Sequence, residues 1–169
     1  PDHSALTNRS TVARMRAGPI REEVKVAPTD RFVSENSFHV RYAETDAMGI
    51  THHSAYIVYF EEARSHYSRE RGASYADFEQ SGYYLTVGEV HARYMVPTRY
   101  AQVITARCWV EELKSRTVKF GYEIVDTTTG AVCVTGYTRH VCIDHAGHVA
   151  KIPANWASVV GAGLPGRAE

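Results

Sequence analysis

The stretch RYAETDAMGITHHSAYIVYFEEAR, residues 41–64, changes character in its middle. Up to Ala43 apolar and polar residues alternate, whereas from Ser54 the apolar residues recur every three or four positions. A period of two belongs to a half-buried strand and one of 3.6 to an amphipathic helix, so a strand hands over to a helix here. Between them stand two acids, Glu44 and Asp46, then Gly49 and the pair His52-His53. Gly49 permits a sharp backbone turn. A helix opening near residues 53–55 offers unpaired N–H groups and the positive end of its macrodipole. A carboxylate held near such donors can act as base or nucleophile while the N–H groups hold a developing oxyanion. On spacing alone a plainer alternative stands beside this one, with Asp46 capping the turn and Ser54 capping the helix.

Working outward, residues 37–43 form a short strand with Phe38, Val40 and Tyr42 on one face and His39 and Arg41 on the other. The helix runs from Ser54 through Arg71 and stops at Gly72. Its stripe of Tyr56, Ile57, Phe60, Ala63 and Tyr67 is the face it buries. A second, shorter helix starts with Ser74 as N-cap and reaches Gln80. From Tyr83 the period becomes two over residues 83–95, 102–113, 117–126 and 131–143, all rich in β-branched and aromatic side chains. The links 114–116 and 127–130 are short enough for antiparallel hairpins, and Pro97 ends the first long strand. A last turn, residues 145–148, leads to Ile152-Pro153. The fold class is α+β, a curved antiparallel β-sheet wrapped around one long central helix. Such a sheet leaves an edge open, which calls for a second copy.

The flanks differ. Residues 1–36 lack a sustained apolar period and read as a flexible arm, residues 37–160 as the single domain, and residues 161–169, with three glycines and a proline, as a frayed tail. In the 169 residues Lys plus Arg equals Asp plus Glu, 19 against 19, so the charge balance does not call for nucleic acid or an acidic membrane surface. No apolar run approaches the roughly 20 residues of a membrane span, and no signal-peptide pattern is visible. Cys108, Cys133 and Cys142 are widely spaced and fall in strands, as reduced core residues of a cytoplasmic protein would. Tyr56, Tyr59, Tyr67, Tyr83 and Tyr84 read as core and pocket wall, since no basic patch accompanies them.

The arrangement Y-x-E-T-D-A-M-G-I-x-x-H-x-x-Y over residues 42–56, followed by F-E-E-A-R at 60–64, resembles the hotdog-fold acyl-CoA thioesterases of the 4-hydroxybenzoyl-CoA thioesterase family. It is most similar to the bacterial branch linked to the Tol-Pal system, whose members carry D-T-D-A-x-G-x-x-x-H-x-x-Y before the central helix. The resemblance runs from about His39 to Ile152 and takes in R-Y-x-x-P at residues 93–97 and K-S-R-T at 114–117. It implies that Asp46 is the catalytic carboxylate, as general base or nucleophile. It also implies that His53 opens the helix and polarises the thioester carbonyl through its backbone N–H, its imidazole being a further catalytic candidate. Gly49, Ser54 and Tyr56 fall in the oxyanion and substrate-positioning part of the motif. Glu44 stands where relatives often carry Asp, as a supporting residue, and Ala101-Gln102 lacks the acid usual after that proline.

His52, next to His53, should point elsewhere into solvent. Arg99, Lys114 and Arg116, at strand ends and a turn, are candidates for the phosphates of coenzyme A. No carboxylate or second histidine falls four residues after either histidine, and no cysteine is near, so no zinc site is expected. The implied activity is hydrolysis of an acyl-CoA, with coenzyme A as part of substrate and product and no other cofactor. A thioester on an acyl carrier protein is the alternative donor, and a non-catalytic acyl-binding module the alternative class. The resemblance further implies a homo-oligomer, dimer or tetramer, with the active site where two protomers meet.

Overall fold

The computed structural model describes residues 26–164. Five antiparallel strands, β1 (Ser34–His39), β2 (Tyr83–Tyr94), β3 (Val103–Leu113), β4 (Thr117–Asp126) and β5 (Val132–Asp144), form one sheet in the order β1-β3-β4-β5-β2. The long helix α1 (Ala55–Glu70) packs on one face of it, against β1, β3 and β4. A short helix α2 (Tyr75–Gln80) follows, with the Ser74 side chain accepting the Asp77 N–H at 3.2 Å. This is the α+β architecture that the hotdog resemblance implies.

Alternation builds the core. Ile104, Ala106, Cys108 and Val110 of β3 and Val118, Phe120, Tyr122 and Ile124 of β4 are all buried in one cluster with α1. Each such side chain, withdrawn from water, contributes about 1.5–3 kcal/mol when aliphatic or phenyl. From α1 come Ala55, Tyr56, Tyr59, Phe60, Ala63 and Tyr67. Tyr59 takes a central place in the stripe and Ile57 only its margin. Phe60 stacks on Tyr122 with ring centroids 4.4 Å apart. That close approach needs Gly136 on β5, where a Cβ would meet the Phe60 ring at 2.8 Å and the His91 carbonyl at 2.3 Å. The three cysteines are buried and free.

Both ends of the first strand, and one helix, differ from expectation by more than one residue. Strand β1 starts at Ser34, inside the stretch assigned to the arm, because Ser34, Glu35 and Asn36 pair in register with Cys108, Arg107 and Ala106. It ends at His39, so Tyr42 is not on a strand face. It opens a single 3-10 turn, Tyr42–Glu44, and stands 77% exposed. A third helix, α3 (Ala154–Val160), was not foreseen. At seven residues it is too short to show a period, yet its Trp156 packs on Phe78 at 5.1 Å and donates to the Ala73 carbonyl at 3.3 Å. Most of the arm, and the tail beyond Leu164, lie outside the described residues.

Edge strands frame the sheet. β1 is short, whereas β2 has 12 residues, pairs only with β5 among the described residues and carries exposed Tyr84, Val87, Val90 and Tyr94.

Candidate active site

Thr45 and Thr51 face each other as an isolated antiparallel bridge, so residues 46–50 form a tight loop closed at its base. The Asp46 N–H donates to the Ile50 carbonyl and the Gly49 N–H to the Asp46 carbonyl, both at 2.9 Å. Gly49 has φ +69°, a conformation that a side chain would strain. Asp46 is half-buried. Its Oδ1 accepts the Met48 N–H at 2.8 Å. Its other oxygen has no hydrogen bond, and no cation pairs with it, among the described residues. One oxygen therefore orients the carboxylate, and the other is uncommitted among the described residues. Capping the turn and reacting are compatible.

The loop leads straight into the helix. The His52 N–H donates to the Glu44 carbonyl at 2.8 Å, and the His52 carbonyl accepts the Ala55 N–H at 2.9 Å. The Tyr94 hydroxyl, reaching over from β2, donates to the His53 carbonyl at 3.1 Å. Between these anchors the His53 N–H has no partner among the described residues. Ser54 is the N-cap but its side chain makes no capping bond. Its ψ of −25° is already helical, and its hydroxyl lies 2.8 Å from His52 Nδ1. The same Nδ1 lies 3.3 Å from the Ser54 N–H. The His52 and His53 rings do not diverge as expected; they lie 4.2 Å apart.

Two buttresses hold this corner. Glu44 accepts the Arg41 backbone N–H at 2.8 Å, the Arg41 guanidinium, and the Tyr59 hydroxyl at 2.7 Å. Burial pushes the Glu44 carboxyl up, but the hydrogen bonds from Arg41 and Tyr59 outweigh it and leave the group below its ordinary value. Burial, then the Glu44 carboxylate, push the Tyr59 phenol well above its usual range. Beneath the loop, Thr51, Thr98 and Tyr56 form a buried hydroxyl chain, with Thr51 Oγ1 to Thr98 Oγ1 at 2.6 Å and Tyr56 Oη to Thr98 Oγ1 at 2.9 Å. The Thr51 N–H also donates to the Thr98 carbonyl at 2.8 Å. Tyr56 is 3% exposed with its hydroxyl committed to Thr98. It braces the site from below.

The three basic candidates are not brought together. Arg99 Nη1 donates to the Gly49 carbonyl at 3.2 Å, beside the loop. Lys114 pairs with Glu112 at 2.6 Å and, with Arg116, occupies the turn at the far end of β3. That strand has 11 residues, roughly 35 Å at the usual rise. Gln102 explains the missing acid: its Oε1 accepts the Arg99 N–H at 2.9 Å, so a neutral amide closes that turn. Residue type and spacing assign no role to Tyr94, Thr98 or Thr51, which the structure brings to this corner. Tyr94 lies inside the quoted R-Y-x-x-P segment, which is the signal that marked it. Among the described residues no group of three His, Cys, Asp or Glu is placed to hold a metal.

Comparison with known proteins gives the family. A model of the thioesterase-like superfamily matches residues 40–160. The "Putative acyl-CoA thioesterase YneP" of Bacillus subtilis is 31% identical over 112 residues, covering 66% of this chain and 80% of that protein. The crystal structure of the hypothetical protein TT1821 from Thermus thermophilus is 34% identical with a TM-score of 0.72, covering 76% of this chain and 97% of that one. The DHNA-CoA thioesterase from Staphylococcus aureus is 30% identical with a TM-score of 0.71, covering 76% and 89%. The match spans the Asp46 loop, all of α1 and four of the five strands, and the chain belongs to the thioesterase-like superfamily.

Proposed function

We propose that the protein hydrolyses acyl-CoA thioesters to the free acid and coenzyme A. The observation that carries this is the pairing of a half-committed carboxylate, Asp46, with the open N–H of His53 at the start of α1. The thioester carbonyl oxygen accepts that N–H, and the helix dipole favours the negative charge that develops on it. As general base, Asp46 takes a proton from water while the oxygen adds to the carbonyl carbon. The C–S bond then breaks, and the coenzyme A thiolate recovers the proton. As nucleophile, Asp46 adds to the carbon itself, releasing the thiolate and leaving an anhydride that water opens. The chemistry calls for no metal or resident cofactor. Support comes from the names of two relatives, a putative acyl-CoA thioesterase and a DHNA-CoA thioesterase.

The working unit is a homo-oligomer, a dimer or a tetramer, joined in the first instance through the 12-residue edge β2 with its exposed Val87, Val90 and Tyr94. Arg99 serves the coenzyme A phosphates from beside the loop. Lys114 and Arg116, a strand's length away, serve only a site to which a second copy contributes. The three free buried cysteines support a reducing, cytoplasmic setting. Among the described residues no helix is long and apolar enough to cross a membrane.

A panel of acyl-CoAs of varied length and aromaticity, read out by free thiol, tests the function. Release of thiol from at least one of them is the expected result. Hydrolysis confined to acyl groups on a carrier protein would move the substrate to that donor, and no hydrolysis of either would leave only a binding module.

A further inference from the structure

We propose that the exposed pair Tyr42 and Tyr100 is a stacking platform for the adenine ring of acyl-CoA, with Arg99 receiving a phosphate beside it; this rests on acyl-CoA being the substrate. Tyr42 is 77% and Tyr100 60% exposed, whereas Tyr56 and Tyr59 in the same corner are 3% and 1%. The two rings meet edge to face, with centroids 5.6 Å apart and planes at 88°. In that geometry the ring that offers its edge keeps both faces clear of its partner, and the other keeps its outer face, so a third ring can stack.

The platform is built, not draped. The Tyr42 carbonyl accepts the Thr45 N–H at 3.1 Å and the Thr45 hydroxyl at 2.8 Å, which fixes the turn it opens. Tyr100 precedes Ala101, which holds φ +62° while its N–H donates to the Val40 carbonyl at 3.0 Å. A residue with a side chain seldom adopts that conformation, and here it fixes the backbone on which Tyr100 faces water.

Charge selects the occupant. Arg41, next to Tyr42, is neutralised by Glu44. Arg99, next to Tyr100, is exposed and has no carboxylate partner among the described residues. Its Nη1 bonds the Gly49 carbonyl, which joins the platform to the loop that carries Asp46. An aromatic face beside an uncompensated guanidinium matches a ligand with a flat ring and a phosphate together, which is the nucleotide end of coenzyme A.

The test compares an acyl-CoA with the same acyl group on pantetheine, which lacks the nucleotide. Tyr100→Ala should lower kcat/KM for acyl-CoA roughly 5- to 100-fold, through KM, the range expected for one lost base–aromatic stack. With acyl-pantetheine the same variant should stay within about twofold of wild type. Inhibition by coenzyme A should weaken by the factor seen with acyl-CoA, and Tyr100→Phe should restore it because the ring survives. Equal losses on both thioesters, or no loss on acyl-CoA, would overturn the platform. A change of mass by light scattering in Tyr100→Ala would overturn it too, assigning the pair to a contact between copies. Wild-type protein that hydrolyses acyl-pantetheine but no acyl-CoA would overturn the acyl-CoA reading, and the platform with it.

Discussion

The hydroxyl of Tyr94, on the sheet edge, donates to the carbonyl of His53 at the opening of the long helix, 3.1 Å away. One peptide thus has its carbonyl held by the sheet while the N–H on the other side of the same residue stays open. Strand β2 is thereby coupled to the N–H proposed as the oxyanion donor, and the tie lies on the edge where a second copy would add.

Removing that tie should disturb the donor without unfolding the chain. Tyr94→Phe keeps the ring and its packing on Tyr56, 5.6 Å away. Turnover should fall roughly tenfold, short of the roughly 100-fold that a 1 Å misplacement can cost, with a stability loss of about 1 kcal/mol or less. Steady-state kinetics beside thermal melts check this, and turnover within twofold of wild type would show that Tyr94 does not position the donor.

His53 contributes either a backbone donor or an imidazole as well. If only the N–H matters, His53→Ala keeps it and loses about tenfold or less, whereas an imidazole that moves a proton would cost about 100-fold. The open N–H and the exposed ring together lead us to expect a fall of 10- to about 100-fold. The pH profile of the rate separates the two, since an imidazole acting as acid or base leaves a titration that the alanine variant lacks.

Acid stability should carry the mark of His140. This side chain is fully buried on β5, with Nε2 2.8 Å from the Thr138 hydroxyl and the Phe120 ring edge-on at 5.6 Å. Burial first, then the charge of Arg64, pull its pKa from 6.5 down to about 4. The folded state thus holds His140 neutral while the unfolded chain binds a proton. The resulting stability is complete above pH about 6.5 and is lost as pH falls toward 4, by about 3 kcal/mol at 1.36 per unit. Denaturant melts between pH 7 and 4 should show that slope in wild type and a flatter one in His140→Gln. Equal slopes would mean the histidine is protonated inside the fold.

Oligomerisation is checked by light scattering. A chain of 18.9 kDa should return at least twice that mass. Val90→Lys, placing a charge among the exposed apolar residues of β2, should shift it toward monomer and lower activity in step. An active monomer would end the account of a shared site.

Much of this architecture was legible in the residues because two periods, 3.6 and 2, were each sustained over ten or more positions. Strand β4 was bounded to the residue, since short turns flank it. Short elements escaped: α3 has too few residues to show a period, and Tyr42 continued the alternation of β1 in sequence while its backbone had already turned. In the site, the Gly49 turn was legible from type and spacing, whereas spacing left Asp46 open between capping the turn and reacting, and only the family resemblance chose between them. The braces were not. Thr98 and Tyr94 meet the loop only because the sheet returns them to it, more than 40 residues along the chain. A hydroxyl in a sequence carries no sign of which partner it will find. Ser54 shows the reverse error, a residue of capping type whose hydroxyl took a histidine instead.

The most direct test is the turnover of Asp46→Asn on an acyl-CoA that the wild-type enzyme hydrolyses. Asparagine keeps the Oδ1 acceptor that holds the Met48 N–H, so the loop survives, but it can neither take a proton nor attack. Turnover should fall at least about 100-fold with an unchanged melting temperature and oligomeric mass. Activity within a few-fold of wild type in that folded variant would contradict the account and remove Asp46 from the mechanism.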